Sequence, residues 1–175
     1  MADFFQKITE QQGTVEDLLR KIPGFKGYLE KNDRRDADRL LREQLARTFE
    51  DLLAEFGSLQ KEIVEATGLE HMERTQRIDT KLRTFIDRIQ SAAQGYAGLF
   101  DAIKIKEDAL ARVYAFDNAL FAYAEQFKAG LEAVSDAIET DDLKKMLRQL
   151  ESVVTEANKT FKRRIEAMQD LNEAV

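Results

Sequence analysis

Any chemistry in this chain has to be built from carboxylates and a single imidazole. There is no cysteine and one histidine among 175 residues, so thiolate chemistry and a disulfide framework are excluded. A ferritin-like di-metal centre draws a Glu from each of two helices and a Glu-x-x-His from each of two more. His71, which follows Glu70, cannot build that set alone. Glu62 with Glu65 and Glu70 with Glu73 have the Glu-x-x-Glu spacing that can hold Mg²⁺ for phosphate chemistry. On a helical wheel both pairs lie opposite the apolar stripe and face water. The spacing Gly24-x-x-Gly27 is too short for a phosphate loop and lacks the Gly-Lys-Ser/Thr end. No nucleophile–base pair is visible. The expectation is a protein with no catalytic residue, no metal and no cofactor, hence not an enzyme.

Three other groups of residues stand out. Residues 20–47 hold nine basic residues against five acidic ones, a local +4 in a chain of −6. Arg34, Arg35, Arg39 and Arg42 are the candidates there for contact with an anion or an acidic partner. The plainer reading is a set of solvated i,i+4 pairs such as Asp38–Arg42 and Glu43–Arg47. In the third long helix, Tyr114 and Phe121 lie on one edge of the apolar stripe and Phe116 and Tyr123 on the other. An arc that wide calls for cover, either by a second copy of the chain or by the N-terminal segment. Asp117 lies inside the same arc, and a carboxylate there needs a partner. In an up-and-down bundle it falls about 18 Å from its helix start, and Arg164 falls about 12 Å from the end of the last helix, at the same end of the molecule. The spacing predicts a buried Asp117–Arg164 ion pair.

The elements that position these residues are helices. Pro23 is the sole proline, and the apolar residues beyond it recur every three or four positions. Leu41, Leu45, Phe49, Leu52, Phe56, Leu59 and Ile63 form an unbroken stripe that passes through Gly57 and stops before Gly68, read as the C-cap. Similar stripes run through Ile78–Leu99, Leu110–Val134 and Leu143–Met168. The predicted fold is all-α, an elongated antiparallel four-helix bundle. Its long helices cover about 33–67, 69–102, 105–138 and 141–172, in one domain over residues 1–175. Residues 1–31 are predicted to form short helices packed on the bundle. One covers Phe4, Phe5 and Ile8, a second runs from Thr14 to Pro23, and a turn follows through Gly24 and Gly27.

The segment Lys21-Ile-Pro-Gly-Phe-Lys-Gly-Tyr28, followed by Asp33-Arg-Arg-Asp-Ala-Asp-Arg-Leu-Leu-Arg-Glu43, resembles a segment of an uncharacterised bacterial helical family. The resemblance covers about 23 residues. It implies a bacterial source and marks residues 21–43 as a unit; it carries no activity.

Charged residues make up 34% of the chain, against about 25% in an average globular protein, as suits long helices with solvated outer faces. The net charge of −6 opposes binding to nucleic acid or an anionic membrane. No apolar run approaches a membrane span, and the first residues do not read as a signal peptide. The reading is a cytoplasmic bundle acting through protein–protein contacts as a scaffold, adaptor or assembly subunit, with a homodimer as one form. The alternatives are a peripheral membrane protein using residues 1–28 and a bundle that encloses a small molecule.

Overall fold

A computed structural model describes residues 14–30, 34–92 and 107–173. Every regular element among them is an α-helix. Two are short, α1 (Thr14–Lys21) and α2 (Phe25–Glu30). Four are longer: α3 (Arg34–Thr67), α4 (Met72–Ser91), α5 (Glu107–Asp136) and α6 (Leu143–Glu173). No described helix is long and apolar enough to cross a membrane.

The stripe that starts at Leu41 is buried at all seven positions from Leu41 to Ile63. α3 is continuous through Gly57, because a glycine inside a helix costs only about 1 kcal/mol and the stripe recovers more than that. The helix ends where Gly68 takes a left-handed φ of 64° and its N–H bonds to the Val64 carbonyl. α4 starts at Met72, three residues later than the periodicity predicts. Leu69, 71% exposed, has left the core, and residues 68–71 form the turn. The continuation of this helix through Tyr96 and Leu99, and the early helix at Phe4–Ile8, lie outside the described residues.

One local expectation is corrected. The sequence from Ile22 to Tyr28 does not turn throughout. Gly24, at φ 82°, supplies a single left-handed step, and α2 begins at once with Gly27 inside it. The reason is Phe25, which is fully buried and draws the chain back onto the bundle.

α3 packs on α4 and α5, and α6 packs on α4 and α5. The core is organised around edge-to-face aromatic pairs. Phe49 meets Phe85 at 4.7 Å, Phe85 meets Phe161 at 5.9 Å, and Phe56 meets Phe127 at 6.3 Å between ring centroids. α5 and α6 approach closely at Gly130, where a Cβ would stand 2.7 Å from the Leu150 Cδ1. α1 packs on α5, and α2 on α3.

Candidate functional site

The most concentrated polar chemistry in the structure is inside it. Asp38 and Arg42 lie one turn apart on α3, Asp117 on α5 and Arg164 on α6, and all four are buried. Arg164 Nε donates to Asp117 Oδ1 at 2.5 Å, and Arg164 Nη2 donates to Asp38 Oδ1 at 2.5 Å. Nη2 also reaches Asp117 Oδ2 at 3.3 Å, and Nη1 points at Met168 Sδ at 3.1 Å. Arg42 Nε donates to Asp38 Oδ2 at 2.8 Å. The result is a closed row, Arg42–Asp38–Arg164–Asp117, tying three helices together.

Its electrostatics follow from burial. Loss of water pushes the Asp117 carboxyl up to about 6; Arg164 offsets only part of that, and the neighbouring Asp38 charge adds to the rise. Burial pushes Asp38 the same way, but Arg164 and Arg42 together outweigh it and hold this carboxyl below its ordinary range. Burial also opposes the charge on Arg164. The two carboxylates outweigh it and hold its proton more firmly than usual. At neutral pH two guanidiniums face two carboxylates, so the row is neutral as a whole. All four of its carboxylate oxygens accept from guanidiniums of the row, which suits a structural layer that sets helix register.

The sequence pairs Asp117 with Arg164, and the structure brings them together. It also adds Asp38 and Arg42, which the sequence reads as a solvated pair; the two are inward-facing instead. Extending the α3 stripe back from Leu41 by three positions reaches Asp38, and back from Leu45 by three reaches Arg42. The periodicity therefore carried the signal. Arg42 is thus no surface anion contact. Arg39 is exposed and pairs with Asp36 at 3.0 Å. The side chains of Arg34 and Arg35 lie outside the described residues.

One edge of the apolar arc on α5, at Tyr114 and Phe121, is covered from within the chain. Leu18, Ile22 and Phe25 are buried in the common core. Phe25 packs edge-to-face on Tyr114 at 5.8 Å, and Lys21 Nζ lies 6.0 Å from the Phe121 ring centre. Lys21 also reaches Glu125 at 3.1 Å. Tyr114 and Phe121 are buried, while Phe116 and Tyr123 are half-buried. Of the four residues marked as an interaction surface, two are therefore beneath α1 and α2 and are not available to a partner.

The acidic pairs stay on the outside. Glu62, Glu65, Glu70 and Glu73 are all exposed. Glu62 and Glu65 border an open cleft of about 530 Å³ together with Asp136 and Glu139. Among the described residues no group of three or more His, Asp or Glu side chains is placed to hold a metal. His71 is half-buried, with Nε2 3.9 Å from Glu70 Oε1.

A second polar feature lies along the seam of α4 and α6. Lys81 Nζ donates to Glu151 Oε1 at 2.9 Å and to Thr155 Oγ1 at 3.0 Å. Arg74 Nη1 and Arg77 Nε donate to the same Glu151 carboxylate. Burial pushes the Glu151 carboxyl up, but Lys81 and Arg77 more than reverse this and hold it low. Further along, Arg88 Nη1 donates to Asn158 Oδ1 at 3.1 Å. Between these crossings the seam opens as a groove of about 320 Å³, lined by Thr80, Lys81, Thr84, Arg88, Thr155, Asn158, Lys159 and Lys162. The linear charge pattern did not reveal it, because its walls come from positions some seventy residues apart, as the Arg88–Asn158 bond shows.

Compared with protein-family models, with curated proteins and with solved structures, the chain matches none.

Proposed function

We propose that this chain is an elongated antiparallel four-helix bundle with a non-enzymatic, cytoplasmic role, acting through protein–protein contacts as a scaffold, adaptor or assembly subunit. The alternating helix directions are supported by which residues meet. Along α3 and α5 the numbers rise together, from Asp38 and Asp117, which share Arg164, to Phe56 and Phe127. Asp117 of α5 meets Arg164 of α6, while Gly130 lies against Leu150, so residue numbers run in opposite senses along that pair. Along α4 and α6 they rise together, from Arg74–Glu151 to Arg88–Asn158.

One observation carries the functional reading: the strongest convergence of ionisable groups, the Arg42–Asp38–Arg164–Asp117 row, is buried and spent on itself. A catalytic constellation needs such groups open to a substrate; a register-setting layer needs them closed. Partner contacts then fall to the long solvated faces, since Tyr114 and Phe121 are already covered. The membrane alternative is weakened by Leu18, Ile22 and Phe25, whose apolar surface is spent in the core.

The test is site-specific photo-cross-linking of the full chain in cells, with the reactive residue placed singly at Glu55 on α3, Arg83 on α4 or Gln149 on α6, all exposed. A discrete cross-linked protein from one face and not the others is expected. A uniform background from all three faces, with the fold intact, would refute the reading.

A further inference from the structure

Charge is divided unequally between the two sides of the molecule. α4 has five cations against three anions, and α6 has seven against five, a net +2 each. α3 has six cations against eight anions, net −2, and α5 has two against six, net −4. α4 lies beside α6, and α3 beside α5. Arg164 and Asp117 lie in the buried row, which leaves α6 net +1 and α5 net −3 outside it; in a chain that is acidic overall the α4–α6 side is therefore the cationic one, and the groove runs along it.

Within that side the groove is more selective still. Its lining holds four cations, Lys81, Arg88, Lys159 and Lys162, and no carboxylate. The remaining lining groups are three Thr hydroxyls and the Asn158 amide. On α4, positions 81, 84 and 88 fall on one face; on α6, positions 155, 159 and 162 do the same. Two facing rows of polar side chains result, each about 10 Å long at 1.5 Å per residue; within them the Thr155 hydroxyl is already used, donating to the Glu151 carbonyl and accepting from Lys81.

We propose that this groove is a binding site for a small polyanion of the phosphate type, carrying two or more phosphoryl groups within about 10 Å. The donors to hold it are present. Arg88 spends Nη1 on Asn158, which leaves further N–H groups of its guanidinium for a ligand. Lys159 and Lys162 are tied only to Glu156 and Glu166, at 2.7 and 3.6 Å, in exposed pairs on their own helix. Exposed pairs of this kind contribute little and exchange readily for a better anion. The volume of about 320 Å³ lies within the range of small-ligand sites.

The groove also has a stop. Glu151, held by Arg74, Arg77 and Lys81, stands at one end. Its carboxylate already engages those three cations, so the donors left for a ligand lie on the Arg88, Lys159 and Lys162 side of the groove. The proposal is independent of the protein-contact reading above.

Titration calorimetry of the full chain with sodium tripolyphosphate at fixed ionic strength tests it. Saturable one-to-one binding that weakens with added salt is expected. Lys159→Gln with Lys162→Gln should weaken it about tenfold or more, whereas Lys144→Gln with Lys145→Gln, an equal charge loss outside the groove, should leave it within about twofold. Arg88→Gln gives an independent second variant, and thermal melts verify that each remains folded. Absence of binding at millimolar tripolyphosphate would overturn the proposal. So would equal losses in the two lysine pairs, which would mean general attraction to positive charge. Tighter binding of an oligo-glutamate peptide than of tripolyphosphate would assign the groove to an acidic protein segment and overturn the phosphate assignment.

Discussion

Asp38 and Asp117 accept hydrogen bonds from the same guanidinium, each at 2.5 Å from a nitrogen of Arg164. The two carboxylates belong to different helices and meet only through that one side chain. With Arg42 on the far side of Asp38, the row counts two positive and two negative charges. Removing any one member leaves an uncompensated charge in the core; removing a matched pair does not.

That count predicts the order of a mutant series. Asp117→Ala leaves a net +1 inside the bundle and Arg164→Met a net −1. Each should lose about 3–5 kcal/mol, the usual cost of breaking a buried pair from one side. The double variant restores neutrality through Arg42–Asp38 and should be more stable than either single one. Denaturant unfolding measures all four species. A double variant whose loss equals the sum of the singles would show that the groups are uncoupled.

A pH dependence follows from Asp117. In the unfolded chain it titrates near 3.8, and in the folded one near 6. Between those values the native state holds a proton that the unfolded state releases, so stability falls as pH rises. The contribution is fully present below 3.8 and lost as pH passes about 6, with a total on the order of 2–3 kcal/mol. Asp117→Asn removes the titration. The stability of the wild type minus that of the variant should therefore decline from pH 4 to pH 7. Asp38 has the opposite sign, since its folded value is lowered; its contribution is lost only as pH falls below 3.8.

Two glycines inside helices should respond in opposite directions. A Cβ at Gly57 meets nothing within 4 Å, so Gly57→Ala should stabilise by about 0.5–1 kcal/mol through helix propensity alone. At Gly130 the new methyl would meet the buried Leu150 side chain at 2.7 Å. Overpacking there costs about 1–3 kcal/mol, which exceeds the same propensity gain and makes Gly130→Ala destabilising. Thermal melts of the two variants give the comparison.

The N-terminal cover gives a fourth expectation. Phe25→Ala should cost about 3–5 kcal/mol, as for a large core aromatic. It should also speed proteolysis within residues 14–30, because Phe25 anchors that segment on Tyr114. Sedimentation should show no change in mass. A change in assembly with unchanged stability would mean that the α5 arc meets another molecule instead.

How far the sequence could be read depended on the range of the signal. The α3 stripe was legible from Leu41 to Ile63 because helical periodicity is local and repeats seven times. The start of the next helix was less legible: it was placed near Leu69, just after Gly68, but Leu69 sits in a turn with no core to face and the helix begins at Met72. The Asp117–Arg164 pair was legible because each residue lies on a core stripe and helix lengths set its level. Asp38 and Arg42 were missed because opposite charges four apart on a helix are most often solvated, and that expectation outweighed their phase. The groove between α4 and α6 was out of reach altogether. Lys81 and Lys162 are unremarkable in their own neighbourhoods, and only packing places them on one wall-to-wall opening.

The buried row also fixes how the molecule can deform. Sliding α6 along α3 and α5 by a single residue would move Arg164 by about 1.5 Å, enough to break bonds of 2.5 Å to both Asp38 and Asp117. Apolar stripes tolerate such slippage far better, since one Leu can take the place of another. Pinned at this layer, the helices keep one register, and α3 alone spans about 50 Å at 1.5 Å per residue. In the scaffold role proposed above, that fixed register would keep a partner bound at one end of α3 at a constant distance from one bound at the other, as on a ruler.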